Sequence, residues 1–217
     1  MTDIFDLYTE EYDSWYDSER GKVLYESELE CVKSLAGECL LPVLEIGVGT
    51  GRFAQRFTGS TGIDPSSYAL RYARRRGVSV VQSIGEQLPF KDGTFGCVFI
   101  LFTLCFVRNP CAVLREAKRV LKRNGRTVIG FINRSSPWGA LYEEKKKHGH
   151  PLYHRARFFS LEEVEKVVEQ SGLVISNVKS TLQQRPDQES VCEKPVDGIA
   201  EGAGFLCIEA GKDSVKF

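Results

Sequence analysis

The 217-residue sequence has no excess of charge of either sign: 29 lysines and arginines stand against 29 aspartates and glutamates. With no net field, neither a nucleic-acid backbone nor an anionic membrane surface is an expected partner, and a small molecule is the better candidate. No apolar run is long enough to span a bilayer. The first residues, Met1-Thr2-Asp3-Ile4-Phe5-Asp6, carry acids where a signal peptide needs basic residues and then an apolar stretch. These absences predict a cytoplasmic protein. Seven cysteines are present, at 31, 39, 97, 105, 111, 192 and 207, but no C-x-x-C pair. Most sit among apolar neighbours, so buried free thiols are expected, and zinc and disulfides are not. Histidine is scarce: His148, His150 and His154 are the only ones, beside Lys145-Lys146-Lys147 and Gly149. That setting predicts an exposed loop with no metal. Repeats and low-complexity tracts are missing too, and the length suits one domain over residues 1–217.

What is present is alternation. Short β-rich runs near 41–48, 60–64, 78–83, 96–104 and 126–132 are separated mostly by helical patterns, the arrangement of parallel strands joined by crossover helices. Val113, Leu114, Ala117, Val120 and Leu121 form one apolar stripe, which Asn124-Gly125 is expected to stop. Tyr68, Ala69, Tyr72 and Ala73 form a shorter stripe, capped by Ser66 or Ser67 and stopped at Gly77. Asn133 to Arg157 reads as a polar, aromatic stretch. Ser160 with Glu163 is a capping box for a helix to about Ser171. Two more strands are expected near 173–181 and 205–210, as an antiparallel pair at the sheet edge, separated by a long mobile loop. Leu24, Cys31, Val32 and Leu35 mark an extra helix before the first strand.

The most informative residues are Leu44-Glu45-Ile46-Gly47-Val48-Gly49-Thr50-Gly51. An apolar run ends in an acid and three alternate glycines, which allow positive φ or close approach to a ligand. A dinucleotide fingerprint G-x-G-x-x-G would need its third glycine where Arg52 stands, and no P-loop lysine follows. A nucleotide-linked oxidoreductase is therefore disfavoured. Asp64 closes the second strand at the edge where ligands of doubly wound sheets lie, and its carboxylate can accept hydrogen bonds from both ribose hydroxyls. Ser83-Ile84-Gly85-Glu86-Gln87-Leu88-Pro89-Phe90 follows the third strand, and Phe102 and Thr103 close the fourth.

Glu45-x-Gly47-x-Gly49-x-Gly51 resembles motif I of the class I S-adenosyl-L-methionine (SAM) dependent methyltransferases. The Gly85-Glu86 to Phe90 run and the Leu114 to Arg126 helix and turn resemble their small-molecule branch, the quinone-biosynthesis type (type 11). The resemblance implies a Rossmann-like, doubly wound, seven-stranded, mostly parallel sheet with helices on both faces and an antiparallel edge strand. It implies SAM as cofactor and S-adenosyl-L-homocysteine as product, held by Glu45, Gly47, Gly49, Gly51, Asp64, Pro65, Gly85, Glu86 and Phe102. It also implies an N-terminal lid over residues 1–40, with Tyr12 and Tyr16 toward the methionine end. Residues 41–132 would then be the cofactor core, 133–159 a substrate-side insertion, and 160–217 the last helix and strands around a loop at 183–203. Trp15, Trp138, Tyr142, His154 and Arg157 are the candidates for the substrate wall. The family's histidines after strand four are replaced by Cys105 and Phe106, so no catalytic residue is assigned. Methyl transfer to a small-molecule acceptor is the leading expectation. A non-catalytic protein that binds SAM or its product stays open.

Overall fold

A computed structural model describes residues 4–212. Met1-Thr2-Asp3, on which the reading of an acidic start partly rests, lie outside the described residues, as do the side chains of Ile4 and Phe5. Along the chain come α1 (Ile4–Trp15), α2 (Glu19–Ala36), β1 (Val43–Ile46), a 3-10 turn (Ala54–Arg56), β2 (Ser60–Asp64), α3 (Ser67–Arg75), β3 (Ser79–Gln82) and β4 (Phe95–Leu101). Then follow α4 (Pro110–Val120), β5 (Leu121–Ile132), α5 (Pro137–Lys147), α6 (Leu161–Ser171), β6 (Val174–Thr181), β7 (Val196–Asp197) and β8 (Phe205–Gly211).

Every residue of β4 is buried, because its alternating side chains enter two cores. Cys97, Phe99 and Leu101 pack with Leu24, Leu29, Val32 and Leu35 of α2. Val98 and Ile100 pack on the other face with Val113, Leu114 and Ala117 of α4 and Val164 and Val168 of α6. Each such side chain contributes about 1.5–3 kcal/mol by leaving water. Local signals set the helix ends. Ser66 Oγ accepts the Ala69 N–H at 3.0 Å at the start of α3, and the Ser160 N–H donates to Glu163 Oε2 at 2.9 Å in the capping box of α6.

The sheet order is β3-β2-β1-β4-β5-β8-β6-β7. The first five strands are mutually parallel, β8 runs antiparallel to both β5 and β6, and β7 runs antiparallel to β6 at the edge. The expected antiparallel pair is present, with β8 inserted inside the sheet. Among the described residues the sheet has eight strands where the resemblance implies seven. The extra one, β7, pairs Val196 with Ser180 and Asp197 with Lys179 inside the segment read as a mobile loop. That segment is pinned: Glu193 accepts the N–H groups of Gln183 and Gln184 at 2.7 and 2.9 Å, and its own N–H donates to Ser27 Oγ at 2.9 Å. The polar stretch after β5 holds α5, begun by Pro137 and capped by Ser136 Oγ, which accepts the Gly139 N–H at 3.0 Å. Helix α4 stops at Val120 and not at Asn124-Gly125, because Leu121 already pairs with Phe95 across the sheet. All seven cysteines are free. Cys31, Cys97 and Cys207 are buried, the next three partly so, and Cys192 is exposed. Among the described residues no helix is long and apolar enough to cross a membrane.

The crossovers from β1 and β4 leave in opposite directions along the sheet, so a crevice opens at the carboxyl ends of these two strands. The site lies there.

Candidate functional site

The chain leaves β1 at Gly47, leaves β2 at Asp64 and leaves β4 at Phe102, and all three exits face one cavity of about 1210 Å³. Two glycines shape its floor by different means. A Cβ on Gly47 would fall 2.3 Å from Thr103 Oγ1, so the residue is small because the β4 exit presses on it. Gly49 has φ +50 and nothing within 4 Å of where its Cβ would project, leaving a bare backbone on the cavity side. Its N–H donates to Asp64 Oδ2 at 3.0 Å, and the Ser66 N–H donates to Oδ1 at 2.8 Å. The Asp64 carboxylate is thereby fixed at the strand end, beside Pro65. Gly51 does not line the cavity. A Cβ there would meet Ala73 at 2.9 Å, so it serves the packing of α3 behind the loop.

Glu45 lies below the loop, 3% exposed, with Oε2 buried and unpartnered among the described residues. Burial pushes its pKa up to about 8, aided by the nearby Asp64 charge and opposed by a hydrogen bond from the Ala54 backbone. An orphaned buried acceptor below an open glycine cradle suits a ligand bearing hydroxyl or amino donors. On the next wall, Gly85 packs closely on Ile46 and Val113. Glu86 Oε1 accepts the N–H groups of Arg108 and Asn109 at 3.1 and 3.2 Å, so its side chain closes the loop before α4. Ile84, half exposed, offers an apolar surface beside them.

Phe102 takes the left-handed conformation, φ +54, which a bulky residue occupies only where its surroundings compel it. Its N–H donates to the Gly130 carbonyl at 2.8 Å, and its ring stacks on Phe205 with centroids 5.0 Å apart. Beyond it the cavity becomes aromatic. Tyr12 of α1 and Tyr16 just past its end share a hydroxyl–hydroxyl hydrogen bond of 2.8 Å, the Trp15 and Tyr16 ring centroids stand 5.1 Å apart, and Tyr142 of α5 meets Tyr153 edge to face at 5.0 Å. Trp138 is buried, with its indole N–H donating to the Gln184 carbonyl at 2.7 Å.

Helix α1 is fastened over this space by ion pairs. Arg52 Nε reaches Asp13 Oδ1 at 2.9 Å and its Nη2 reaches Asp17 Oδ2 at 2.7 Å, while Arg76 holds the other Asp13 oxygen at 2.8 Å. Burial alone would raise the Asp13 pKa, but the two guanidiniums outweigh it and hold the carboxyl below its ordinary range. Tyr68 and Tyr72 of α3 both donate to Glu10 at 2.7 and 2.8 Å.

The cavity thus brings together Glu45, Gly47, Gly49, Asp64, Pro65, Gly85, Glu86, Phe102, Tyr12, Tyr16, Trp15, Trp138 and Tyr142. His154 and Arg157 stay outside it. His154 is exposed and turned to the Pro151 carbonyl at 2.6 Å, and the exposed Arg157 guanidinium lies over the Phe159 ring near Glu163. Of the three histidines it is His150 that reaches the cavity, stacked on Tyr153 at 4.5 Å, with its pKa lowered by burial and then by Lys145. Among the described residues no group of three or more His, Cys, Asp or Glu side chains could hold a metal ion. The reading from sequence missed Glu28 and Tyr153. Glu28 had left a signal, an acid four residues after Leu24 inside an apolar stripe. Trp138, Leu141, Tyr142 and Lys145 had left another, the i, i+3, i+4, i+7 spacing of one helix face.

Comparison with known proteins bears on this site. The pattern of the methyltransferase domain family matches residues 44–129. A Mycobacterium tuberculosis protein described as uncharacterized is 44% identical over 92% of this chain and 70% of its own length. One from Methanocaldococcus jannaschii, described likewise, is 41% identical over 96% and 98%. Among solved structures, a SAM-dependent methyltransferase from Thermotoga maritima, described as a possible histamine N-methyltransferase, superposes with a TM-score of 0.89 at 37% identity, over 97% of this chain and 98% of that one.

Proposed function

We propose, from the premise that this chain belongs to the SAM-dependent methyltransferases, that it transfers a methyl group to a small-molecule acceptor by in-line displacement. Bound SAM supplies a methyl carbon already activated by a cationic sulfur, so the protein's work is placement. Asp64 would accept from the ribose hydroxyls, and the bare backbone at Gly49 would lie against the cofactor. Gly85 and Glu86 would offer backbone groups to the adenine, with Ile84 as its apolar neighbour. Glu45 would use its orphaned oxygen through the loop above it. Phe102, Tyr12 and Tyr16 would enclose the end where transfer occurs. Fixing two reactants in line is worth roughly 7–11 kcal/mol, so no catalytic base has to be assumed. Seven unpaired cysteines suit a reducing compartment, and we place the enzyme in the cytoplasm on that ground.

The observation that carries the acceptor class is the cavity itself, which continues from the Asp64 crevice past Phe102 into a pocket walled by α1, α2 and α5. A pocket roofed by a helix suits a molecule it can surround. The test combines calorimetry with S-adenosylhomocysteine and incubation of the enzyme with methyl-labelled SAM and a cell extract. Label in the low-mass fraction is expected. Label in protein or nucleic acid would overturn the small-molecule reading, and binding without transfer would make the protein a binder.

A further inference from the structure

One acid in the cavity has no task in the transfer as described. Glu28 lies on α2, only 5% exposed, and lines the cavity. Among the described residues no hydrogen bond or ion pair reaches its carboxyl. Tyr12 from α1, Tyr16 from the turn after it, Tyr142 from α5 and Tyr153 from the following loop each lie near enough to feel its charge. Through Tyr16, Tyr25 and Phe53, with successive ring centroids 5.6, 5.0 and 5.7 Å apart, this cluster is packed continuously onto Phe102.

A carboxyl among aromatic rings is costly. Leaving water unpaired penalises its anion, and burial holds its pKa well above the ordinary value. The protein's own cations do not relieve it. Arg20 is spent on the Pro186 carbonyl and the Trp138 ring. Lys145 Nζ sits 5.2 Å from the Tyr142 ring centroid, and burial, then the nearby Arg20 charge, hold its pKa below the ordinary value. The box thus combines an acid without a counter-ion and tyrosine faces, whose quadrupoles attract cations.

We infer that Glu28 with Tyr12, Tyr16, Tyr142 and Tyr153 forms a recognition box for a cationic nitrogen, a protonated amine or quaternary ammonium, carried by the acceptor. The methyltransferase reading enters only in calling that ligand the acceptor. Binding a cation would supply the missing counter-ion and leave Glu28 ionised. A neutral or anionic molecule of the same shape would leave the carboxyl uncompensated or repel it.

The test titrates phenethylamine, tetramethylammonium, 2-phenylethanol and 3-phenylpropionate into the full chain saturated with S-adenosylhomocysteine, and repeats this with Glu28→Gln and Tyr153→Leu. At least one of the two cations is expected to bind wild type tenfold or more tighter than the alcohol and the carboxylate. Glu28→Gln should abolish that preference and leave S-adenosylhomocysteine affinity within twofold. Tyr153→Leu should weaken the cation less. Glu28→Gln removes the ability to ionise without changing shape, so a melting temperature at or above that of wild type is expected and checks its folding. The inference falls if neither cation binds, if the alcohol or carboxylate binds as well, or if Glu28→Gln keeps the preference. It also falls if Glu28→Gln weakens SAM and not the amines, which would give the box to the cofactor's own cation. Failure of wild type to bind S-adenosylhomocysteine would count against the methyltransferase reading instead, and the same titrations without it would still decide the box.

Discussion

The two halves of the cavity are built from opposite materials. On the side proposed for the cofactor the backbone does most of the work: Gly49 exposes bare chain, Gly47 yields to Thr103, and the Asp64 carboxylate is held by two N–H groups. On the side proposed for the acceptor the backbone lies behind bulky rings, and the surface is made by Tyr12 of α1, Tyr142 of α5 and the loop residues Tyr16 and Tyr153 around the buried Glu28. A backbone site tolerates little change in its sequence, because the chain path itself is the binding surface. A side-chain site can be rewritten residue by residue while the fold stands.

Substitutions can break or sharpen this contrast. The largest effect is expected from Asp64→Ala, which removes charged hydrogen bonds worth roughly 1.5–3 kcal/mol each. Affinity for S-adenosylhomocysteine should fall tenfold or more by calorimetry, and unchanged affinity would take Asp64 out of the cofactor site. Next is Arg52→Ala, which cuts the tie between α1 and the glycine loop. Asp13 keeps Arg76, so a cost of about 2 kcal/mol is expected, seen as a melting temperature lower by about 4–8 °C. A melt identical to wild type would mean that α1 is held by its other contacts alone.

A smaller effect concerns pH. The folded Glu45 carboxyl, raised by burial from 4.5 to about 8, holds its proton more tightly than the unfolded one. Stability without cofactor should therefore fall as pH rises from 4.5 through 8, and Glu28 acts in the same direction. Carboxyls held low, such as Asp13 and Glu116, lose their contribution only at more acid pH. Melting curves of Glu45→Gln should show a shallower decline over that interval, and equal slopes would deny Glu45 its share. The smallest effect is expected from His154→Ala and Arg157→Ala, both outside the cavity. Stability should change by less than about 0.5 kcal/mol and methyl transfer should persist; loss of transfer would redraw the acceptor wall.

Legibility from sequence followed the same division. Gly47, Gly49 and Asp64 announce themselves because few other residues can follow the chain path they take, and the apolar runs of β1, β4 and the second half of β5 mark strands buried on both faces. The acceptor side depends on which side chains meet across distant segments, and no local pattern encodes that. His154 and Arg157 looked like site residues for their chemistry, yet the chain turns them to solvent. Helix α5 was readable in part, since Ser136-Pro137 is a helix start and Trp138, Leu141, Tyr142 and Lys145 share a face, but a run of lysines and a glycine masked it. β7 was not readable, since two residues paired with an edge strand have no pattern of their own.

The stack of Phe205 on Phe102 joins residues 103 positions apart, 205 less 102, and Phe102 takes its conformation at the point where the sheet hands the chain to the site. During synthesis the glycine loop and its strands can assemble early, because they lie close together in sequence. The ring proposed to divide cofactor space from acceptor space has its backing only once β8 has been made and lies between β5 and β6. A nascent chain would thus acquire its two functions in order, the capacity to hold the cofactor first and a finished chamber for the acceptor only afterwards.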